Sequence, residues 1–84
     1  MTGEEFGRLP FHEKEVLLIS KGKYCGVRES YQCRHKLYSV DGFFVEICYT
    51  PNNTKIEKIE VVTDEKILDM YIDSMVALKK FKEK

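Results

Sequence analysis

The sequence predicts an α+β fold: an N-terminal helix, a four-stranded antiparallel β-meander and a C-terminal helix in a single domain. The strongest observation is the stretch LYSVDGFFVEICY at residues 37–49, where two apolar runs flank Asp41 and Gly42. Gly and Asp tolerate the positive φ that two-residue hairpin turns require. A second turn cluster at residues 50–54 and helix start and stop signals outside the strands complete the pattern.

The first helix is predicted for residues 10–21. Pro10 suits the start of a helix, because the N–H that it lacks would have no partner there. Lys21 near the end complements the helix dipole, and Gly22 then predicts a C-terminal cap in the left-handed conformation. The apolar residues 16–19 also suit a buried strand, but the signals at both ends favour a helix.

Four strands follow the first helix. Side-chain alternation and turn residues place them at residues 23–29, 33–40, 43–49 and 55–62. In the third strand four apolar side chains share one face, namely Phe43, Val45, Ile47 and Tyr49. Because Phe44 and Cys48 lie on the opposite face, we expect that face to be partly covered too, by a second copy or by another protein.

A second helix is predicted after the last strand, with Thr63 or Asp64 as its N-cap. Its apolar stripe recurs at helical spacing and consists of Leu68, Tyr71, Ile72, Met75 and Leu78. Lysines at positions 79, 80 and 82 complement the helix dipole. In the simplest arrangement both helices pack on one face of the sheet.

The composition narrows the class of protein. The 84 residues suit one domain, with residues 1–7 as a flexible end and Phe6 docked on the body. Fourteen basic and fourteen acidic residues cancel, so no overall charge attracts nucleic acid or a membrane. The chain has no apolar run of membrane-spanning length, and its first residues lack the features of a signal peptide. Three cysteines argue against a disulfide framework, and we expect a cytoplasmic protein without a cofactor.

A motif runs through the central two-thirds of the chain: a helix that ends in Gly, then LY, a turn, FFVE, an aromatic residue and I-x-K-I. The positions that carry it are Gly22, Leu37, Tyr38, Phe43, Phe44, Val45, Glu46, Tyr49, Ile56, Lys58 and Ile59. This pattern resembles a family of small bacterial proteins of unknown function. The resemblance implies the order helix, meander, helix, and it implies no activity, ligand or catalytic residue.

The leading prediction is a non-enzymatic protein-interaction module, whose partner is another protein or a second copy. The candidate contact residues are Tyr38, Phe44 and Glu46. Phe44 is the most specific of them, because aromatic residues supply much of the binding energy of interfaces. Glu46 is expected to pair with a neighbouring lysine, either Lys36 or Lys58.

The alternative prediction is a small nucleic-acid-binding protein that uses residues 21–38. Basic residues and tyrosines are interleaved there, and the candidates are Lys23, Tyr24, Arg28, Tyr31, Arg34 and Lys36. This combination is typical of single-strand binders, because bases stack on aromatic rings. A solvated hairpin of mixed charge would have the same composition, so this function ranks second.

Metal binding by cysteine and histidine ranks third. The predicted two-residue turn pairs His35 with Cys48 and places Cys33 diagonally across on the same face. Two thiols and an imidazole suit zinc, with Cys25 or water as a fourth ligand. The spacing matches no common zinc motif, and packing as small apolar residues explains the cysteines better, so we predict that no metal is bound. A cysteine nucleophile with His35 as its base would need a cleft and an oxyanion hole, so we predict no catalytic residue.

Overall fold

The computed structural model describes residues 1–29, 33–50 and 55–71, and it has the predicted α+β fold. The helices are α1 (Gly3–Gly7), α2 (Phe11–Lys21) and α3 (Glu65–Asp69). The strands are β1 (Lys23–Glu29), β2 (Arg34–Val40), β3 (Phe43–Tyr49) and β4 (Ile56–Val62). The predicted bounds of β1 and β3 are confirmed, and β2 and β4 each begin one residue later than predicted.

Four predicted features lie outside the described residues. They are the turn at residues 30–32, most of the turn at residues 50–54, the apolar stripe beyond residue 71 and the lysines at positions 79, 80 and 82. Within the described ranges, no helix is long and apolar enough to cross a membrane.

The strands form one antiparallel sheet in the order β1-β2-β3-β4. The turn between β2 and β3 has φ 47° at Asp41 and 88° at Gly42, as a two-residue hairpin turn requires. This turn fixes the register of the two strands, so that His35 lies opposite Cys48. The predictions of the turn and of the register are both confirmed.

One face of the sheet carries the main hydrophobic core. Its buried strand residues are Val40, Val45, Ile47 and Ile59, and we refer to it as the apolar face. Phe6 of α1 and Leu18 of α2 pack on these side chains. Phe6 is fully buried, and its ring centre lies 5.7 Å from that of Phe43. Burial of each large apolar side chain stabilises the fold by about 1.5–3 kcal/mol, so this layer holds α1 and α2 on the sheet.

The start of α1 is set by a capping box between Thr2 and Glu5. Thr2 Oγ1 accepts a hydrogen bond from Glu5 N at 3.1 Å, and Glu5 Oε1 accepts one from Thr2 N at 2.8 Å. The segment that we expected to be flexible therefore contains a capped helix, docked through Phe6 as the sequence suggests. Pro10 precedes α2 as its N-cap, one position before the predicted role.

Gly22 ends α2, but not in the predicted conformation. Its φ of −72° and ψ of 142° are extended, so the prediction of a left-handed cap is wrong. The need for glycine is steric, because a Cβ at this position would lie 2.5 Å from the carbonyl oxygen of Leu18. Glycine thus allows the close approach by which the chain passes directly from α2 into β1.

The opposite face of the sheet carries Leu37, Glu46 and Cys48, and we refer to it as the Glu46 face. Leu37 is fully buried, and so is Tyr71, which follows α3. The Tyr71 hydroxyl donates a hydrogen bond to Glu46 Oε2 at 2.5 Å, so the Tyr71 side chain covers part of this face. The expectation that both helices pack on one face is therefore wrong. The physical reason is that a buried tyrosine hydroxyl needs an acceptor, and Glu46 supplies it.

An irregularity in β1 directs its two ends to different faces. The register with β2 shifts between Tyr24 and Gly26, so that Cys25 is an extra residue, a β-bulge. Strict alternation would place Tyr24 and Arg28 on the same face. With the bulge, Tyr24 lies beside Tyr38 on the apolar face, whereas Arg28 lies on the Glu46 face.

Candidate functional site

A groove opens on the apolar face between α2 and the sheet. It encloses about 370 Å³, and its walls include Glu15, Ile19, Tyr24, Tyr38, Tyr49 and Ile56. The rings of Tyr24 and Tyr38 pack edge to face, with their centres 5.8 Å apart. We refer to it as the tyrosine groove. Its size suits a few side chains of a partner rather than a large cofactor.

Large apolar side chains at the rim of the tyrosine groove are exposed. Ile19 is 84% exposed, Tyr24 54% and Val16, on the same helix as Ile19, 50%. Inside the groove, burial and the neighbouring Tyr38 raise the pKa of Tyr49, so that its hydroxyl stays neutral. The groove therefore combines an apolar wall with the neutral hydroxyl group of Tyr49, which suits apolar side chains of a partner.

Glu46 is the centre of an ion cluster on the Glu46 face. Arg28 donates from Nε to Glu46 Oε2 at 2.9 Å and from Nη2 to Oε1 at 3.3 Å. The guanidinium group also lies 5.8 Å from the ring centre of Tyr71, whose hydroxyl binds the same carboxylate. The prediction of Lys36 or Lys58 as the partner of Glu46 is wrong, because the bulge in β1 brings Arg28 to this face.

Burial and the charges around Glu46 shift the pKa values of Arg28, Tyr71 and His35. Burial opposes the charge of Arg28, but the hydrogen bond and negative charge of Glu46 outweigh it and raise the pKa of Arg28. Burial and the hydrogen bond to Glu46 raise the pKa of Tyr71, so the hydroxyl remains a donor. Burial lowers the pKa of His35, although the charge of Glu46 favours its protonation. His35 is therefore mainly neutral at pH 7.

Cys33, His35 and Cys48 lie together beside Glu46, and we refer to them as the Cys-His cluster. Cys33 Sγ lies 3.1 Å from His35 Nε2, and the ligand atoms of all three residues lie within 4.8 Å of one another. His35 Nδ1 lies 3.4 Å from Glu46 Oε1. Burial and the Cys33 thiol raise the pKa of Cys48 to about 12. The predicted placement of the three residues is confirmed, whereas Cys25 lies outside this group.

A cavity of about 280 Å³ adjoins the Cys-His cluster. Glu57, Lys58 and Glu60 of β4 line its rim, so charged groups surround an opening that leads to sulfur and imidazole ligands. The cavity has room for water or a small ligand beside the cluster.

Three of the four basic residues of the predicted nucleic-acid surface contact other side chains of the protein. Arg28 belongs to the ion cluster. Arg34 Nη2 donates to Glu29 at 2.6 Å. Lys36 Nζ lies 4.9 Å from the ring centre of Tyr49, on the apolar face. These cations therefore do not line one continuous track for a phosphate backbone.

The remaining residues of that prediction lie elsewhere. Tyr24 lines the tyrosine groove, and Lys23 is exposed next to it. Tyr31 lies outside the described residues. Of the two tyrosines predicted to stack on bases, the structure describes Tyr24. Its ring lines the tyrosine groove and does not lie along a row of basic residues.

The three predicted contact residues are divided between the faces. Tyr38 lines the tyrosine groove, whereas Phe44, which is half-buried, and Glu46 lie on the Glu46 face. The sequence reasoning missed Ile19, although a run of four consecutive apolar residues cannot all face the core of a helix. It placed Tyr71 in an apolar stripe but did not identify the carboxylate that its hydroxyl binds.

Comparison with known proteins does not assign a function to these sites. No family model, curated protein or solved structure matches the chain. The resemblance to a small bacterial family therefore stays a prediction, and function has to be argued from the tyrosine groove, the ion cluster and the Cys-His cluster.

Proposed function

We propose that the protein is a non-enzymatic protein-interaction module that docks through the tyrosine groove, and that the occupant is a second copy of the chain. The observation that carries this proposal is Ile19, which is 84% exposed at the rim of a groove lined by three tyrosines. Tyrosine is enriched at the centres of interfaces, because it combines a large apolar ring with a hydroxyl group.

The surface is complementary to itself in shape. Ile19 and Val16 project from α2, and the groove beside them offers a hole of about 370 Å³. In a two-fold dimer, each copy contributes the same patch. The side chains that project from one copy can therefore enter the groove of the other copy, and the reverse contact forms at the same time. A second copy thus supplies the apolar side chains that the tyrosine groove fits.

The charges around the tyrosine groove also suit self-association. Glu15 lies in its wall, and the exposed Lys21 and Lys23 flank Gly22, another lining residue. A two-fold interface needs both signs of charge on one patch, because the patch faces a copy of itself. A groove for nucleic acid would instead be rimmed by one sign.

The proposal includes the cytoplasm as the place of action. The chain has three cysteines, an odd number that does not suit a closed disulfide framework and is typical of a reducing compartment. The nucleic-acid function remains the second candidate, and the arrangement of Arg28, Arg34 and Lys36 gives it less support than the groove gives to self-association.

Analytical ultracentrifugation over a wide concentration range tests the proposal. The wild-type chain should form a dimer, and Ile19→Glu should weaken the dimer by at least about 30-fold, the equivalent of one interface hot spot. Because Ile19 is so exposed, the monomer should keep its stability. Met70→Glu is the matched control, since Met70 is 58% exposed but does not line the groove, and it should change the affinity by less than about twofold.

Two results would contradict the proposal. A wild-type chain that stays monomeric at every concentration would exclude a second copy as the occupant. Binding of mixed single-stranded oligonucleotides with a steep salt dependence would favour the nucleic-acid function instead, because phosphate contacts release counterions.

A further inference from the structure

Three metal-ligating side chains converge at one point on the Glu46 face. Cys33 immediately precedes β2, His35 is the second residue of β2 and Cys48 belongs to β3. The hairpin register places His35 directly opposite Cys48, and Cys33 Sγ lies 3.1 Å from His35 Nε2. All three ligand atoms lie within 4.8 Å of one another.

This spacing is close to that of a tetrahedral zinc site. With Zn–S bonds of about 2.3 Å and Zn–N bonds of about 2.0 Å, ligand atoms of one zinc ion lie about 3.5–3.8 Å apart. The separations in the Cys-His cluster require side-chain adjustments of about an ångström or less to reach this geometry. His35 and Cys48 lie within the paired strands β2 and β3, so the backbone that carries these two ligands is already in position, and Cys33 is one residue before β2.

We propose that Cys33, His35 and Cys48 form a Zn²⁺ site with a fourth coordination position open to the adjoining cavity. Two thiolates and one imidazole are soft and borderline ligands, which favour zinc over magnesium or calcium. Binding displaces the two thiol protons into solvent and changes no oxidation state. The proposal is independent of the proposed self-association, because the site and the tyrosine groove lie on opposite faces of the sheet.

Glu46 supplies the outer support that zinc-bound histidines ordinarily have. A histidine that binds zinc through one ring nitrogen usually donates the other N–H to a carboxylate or carbonyl, which fixes the ring. His35 Nε2 faces Cys33, and its Nδ1 lies 3.4 Å from Glu46 Oε1. Arg28 and Tyr71 in turn hold the carboxylate of Glu46 at 2.9 Å and 2.5 Å. The ion cluster thus places a carboxylate beside the ring nitrogen that does not face Cys33.

The fourth position faces the cavity of about 280 Å³. Glu57 and Glu60 line this cavity, so a carboxylate or a water molecule completes a tetrahedral shell. Cys25, considered as the fourth ligand from the sequence, lies on β1 and outside the Cys-His cluster. The proposal replaces the sequence-based expectation of no bound metal, because that expectation treated the register as an assumption, and the structure confirms the register.

The same atoms have two other possible uses. Cys33, His35 and Glu46 are spaced like a thiol nucleophile, its base and an orienting carboxylate. Cys33 and Cys48 are also neighbours, so an oxidant would join them in a disulfide. Variants of Cys48 and His35 together separate these uses. Zinc binding needs both residues, a nucleophilic triad does not need Cys48, and a disulfide does not need His35.

The test uses the full chain, reduced and freed of metal, and titrates it with Zn²⁺ against a chromophoric chelator. Wild type and Cys25→Ser should each bind one equivalent, and Cys25→Ser is the matched control because it removes a thiol outside the cluster. Cys33→Ser, Cys48→Ala and His35→Asn should each lose more than about 100-fold in affinity, beyond the 10–100-fold typical of outer-shell partners. Co²⁺ should give the visible bands of a tetrahedral ion and a thiolate charge-transfer band.

Thermal unfolding provides a second readout. At free zinc about a hundredfold above the dissociation constant, the Tm of wild type and of Cys25→Ser should rise by roughly 10–20 °C. Cys33→Ser should show no zinc-dependent rise, and because Cys33 is only partly buried this variant should fold even if Cys48→Ala does not. Equal zinc affinity in wild type and Cys33→Ser would overturn the proposal, and so would a cobalt spectrum without thiolate charge transfer.

Discussion

The two faces of the sheet are held by different forces. On the apolar face, Val45 and Ile47 pack against Phe6 and Leu18, and the contacts are non-directional. On the Glu46 face, buried Leu37 lies beside a carboxylate that accepts directed hydrogen bonds from an arginine and a tyrosine. The first face docks two helices, whereas the second pairs charges and gathers the Cys-His cluster.

This difference teaches where the chain tolerates change. An apolar layer accepts substitutions that conserve volume, because no single contact has to be kept. An ion cluster that is largely out of water depends on each member, because loss of one partner leaves the others unpaired. The candidate ligand residues therefore lie on the face with less freedom to vary.

The largest expected effect compares two phenylalanines, one on each face. Phe6 is fully buried on the apolar face, so Phe6→Ala should destabilise by about 3–5 kcal/mol. Phe44 is half-buried on the Glu46 face, so Phe44→Ala should cost well under about 3 kcal/mol and leave the monomer folded. Urea unfolding measures both.

The same Phe44→Ala variant tests the sequence-based assignment of Phe44 to a contact surface. If it folds but self-associates less than wild type in the ultracentrifuge, the contact surface extends to the Glu46 face. If it unfolds as readily as Phe6→Ala, Phe44 is core, and the contrast between the two faces is smaller than the structure indicates.

The second effect concerns the ion pair of Arg28 and Glu46. Arg28→Met should destabilise by about 3 kcal/mol, because it leaves a carboxylate that is only 12% exposed without its cation. Arg8→Met is the matched control: Arg8 and Glu4 form a pair at 2.9 Å with more than three-quarters of each side chain exposed, so it should cost less than about 0.5 kcal/mol. Similar losses in both variants would show that the cluster is solvated.

The third effect concerns the Tyr71 hydroxyl. Tyr71→Phe should cost about 1.5 kcal/mol at pH 7, because the Glu46 carboxylate loses a donor. The folded-state pKa of Tyr71 is raised above its ordinary value of 10, so its stabilising contribution is complete below about pH 10 and is lost as the pH rises through the folded value. Wild-type stability should therefore fall in alkali more steeply than that of Tyr71→Phe.

Chemical unfolding at a series of alkaline pH values measures that difference. Cys48 and Tyr49 also have raised pKa values, so part of the alkaline loss should remain in Tyr71→Phe. Identical slopes for wild type and variant would mean that the hydroxyl is not buried against Glu46 in solution.

The smallest effect acts on both faces at once. Gly42→Val should destabilise by at least about 1 kcal/mol, because a β-branched side chain opposes positive φ. Nothing lies within 4 Å of a Cβ at this position, so the cost is backbone strain and not a clash. Asp41→Asn is the control, because Asn tolerates positive φ equally well. An unchanged Tm in Gly42→Val would show that the turn relaxes to another type.

Most of the fold follows from local signals in the sequence. The Asp41-Gly42 turn fixes the bounds of β3 and the register that places His35 opposite Cys48. These inferences succeed because strand alternation and turn geometry depend on neighbours in the chain. The same reasoning fails at Gly22, where the requirement for glycine comes from the close carbonyl of Leu18 and not from its own φ.

The sites depend on contacts that local signals do not contain. Glu46 pairs with Arg28 from β1, two strands away, and not with the lysines nearer to it in the sequence. The face that Tyr71 covers is set by its hydroxyl partner, which helical periodicity does not identify. The tyrosine groove requires the bulge in β1, and the local signal for it is Gly26, an isolated glycine inside a strand pattern, which does not specify the position of the extra residue.

The bulge at Cys25 also determines where the sheet tolerates the loss of a residue. Without Cys25, Arg28 would follow Tyr24 by three residues, so strict alternation would still direct the two side chains to opposite faces. The tyrosine groove would keep its wall, and Glu46 would keep its cation. In β2, where every residue is paired with β3 in regular register, the same deletion would turn part of the strand over and move side chains to the wrong face. Natural variants should therefore lose residue 25 more readily than a residue within β2.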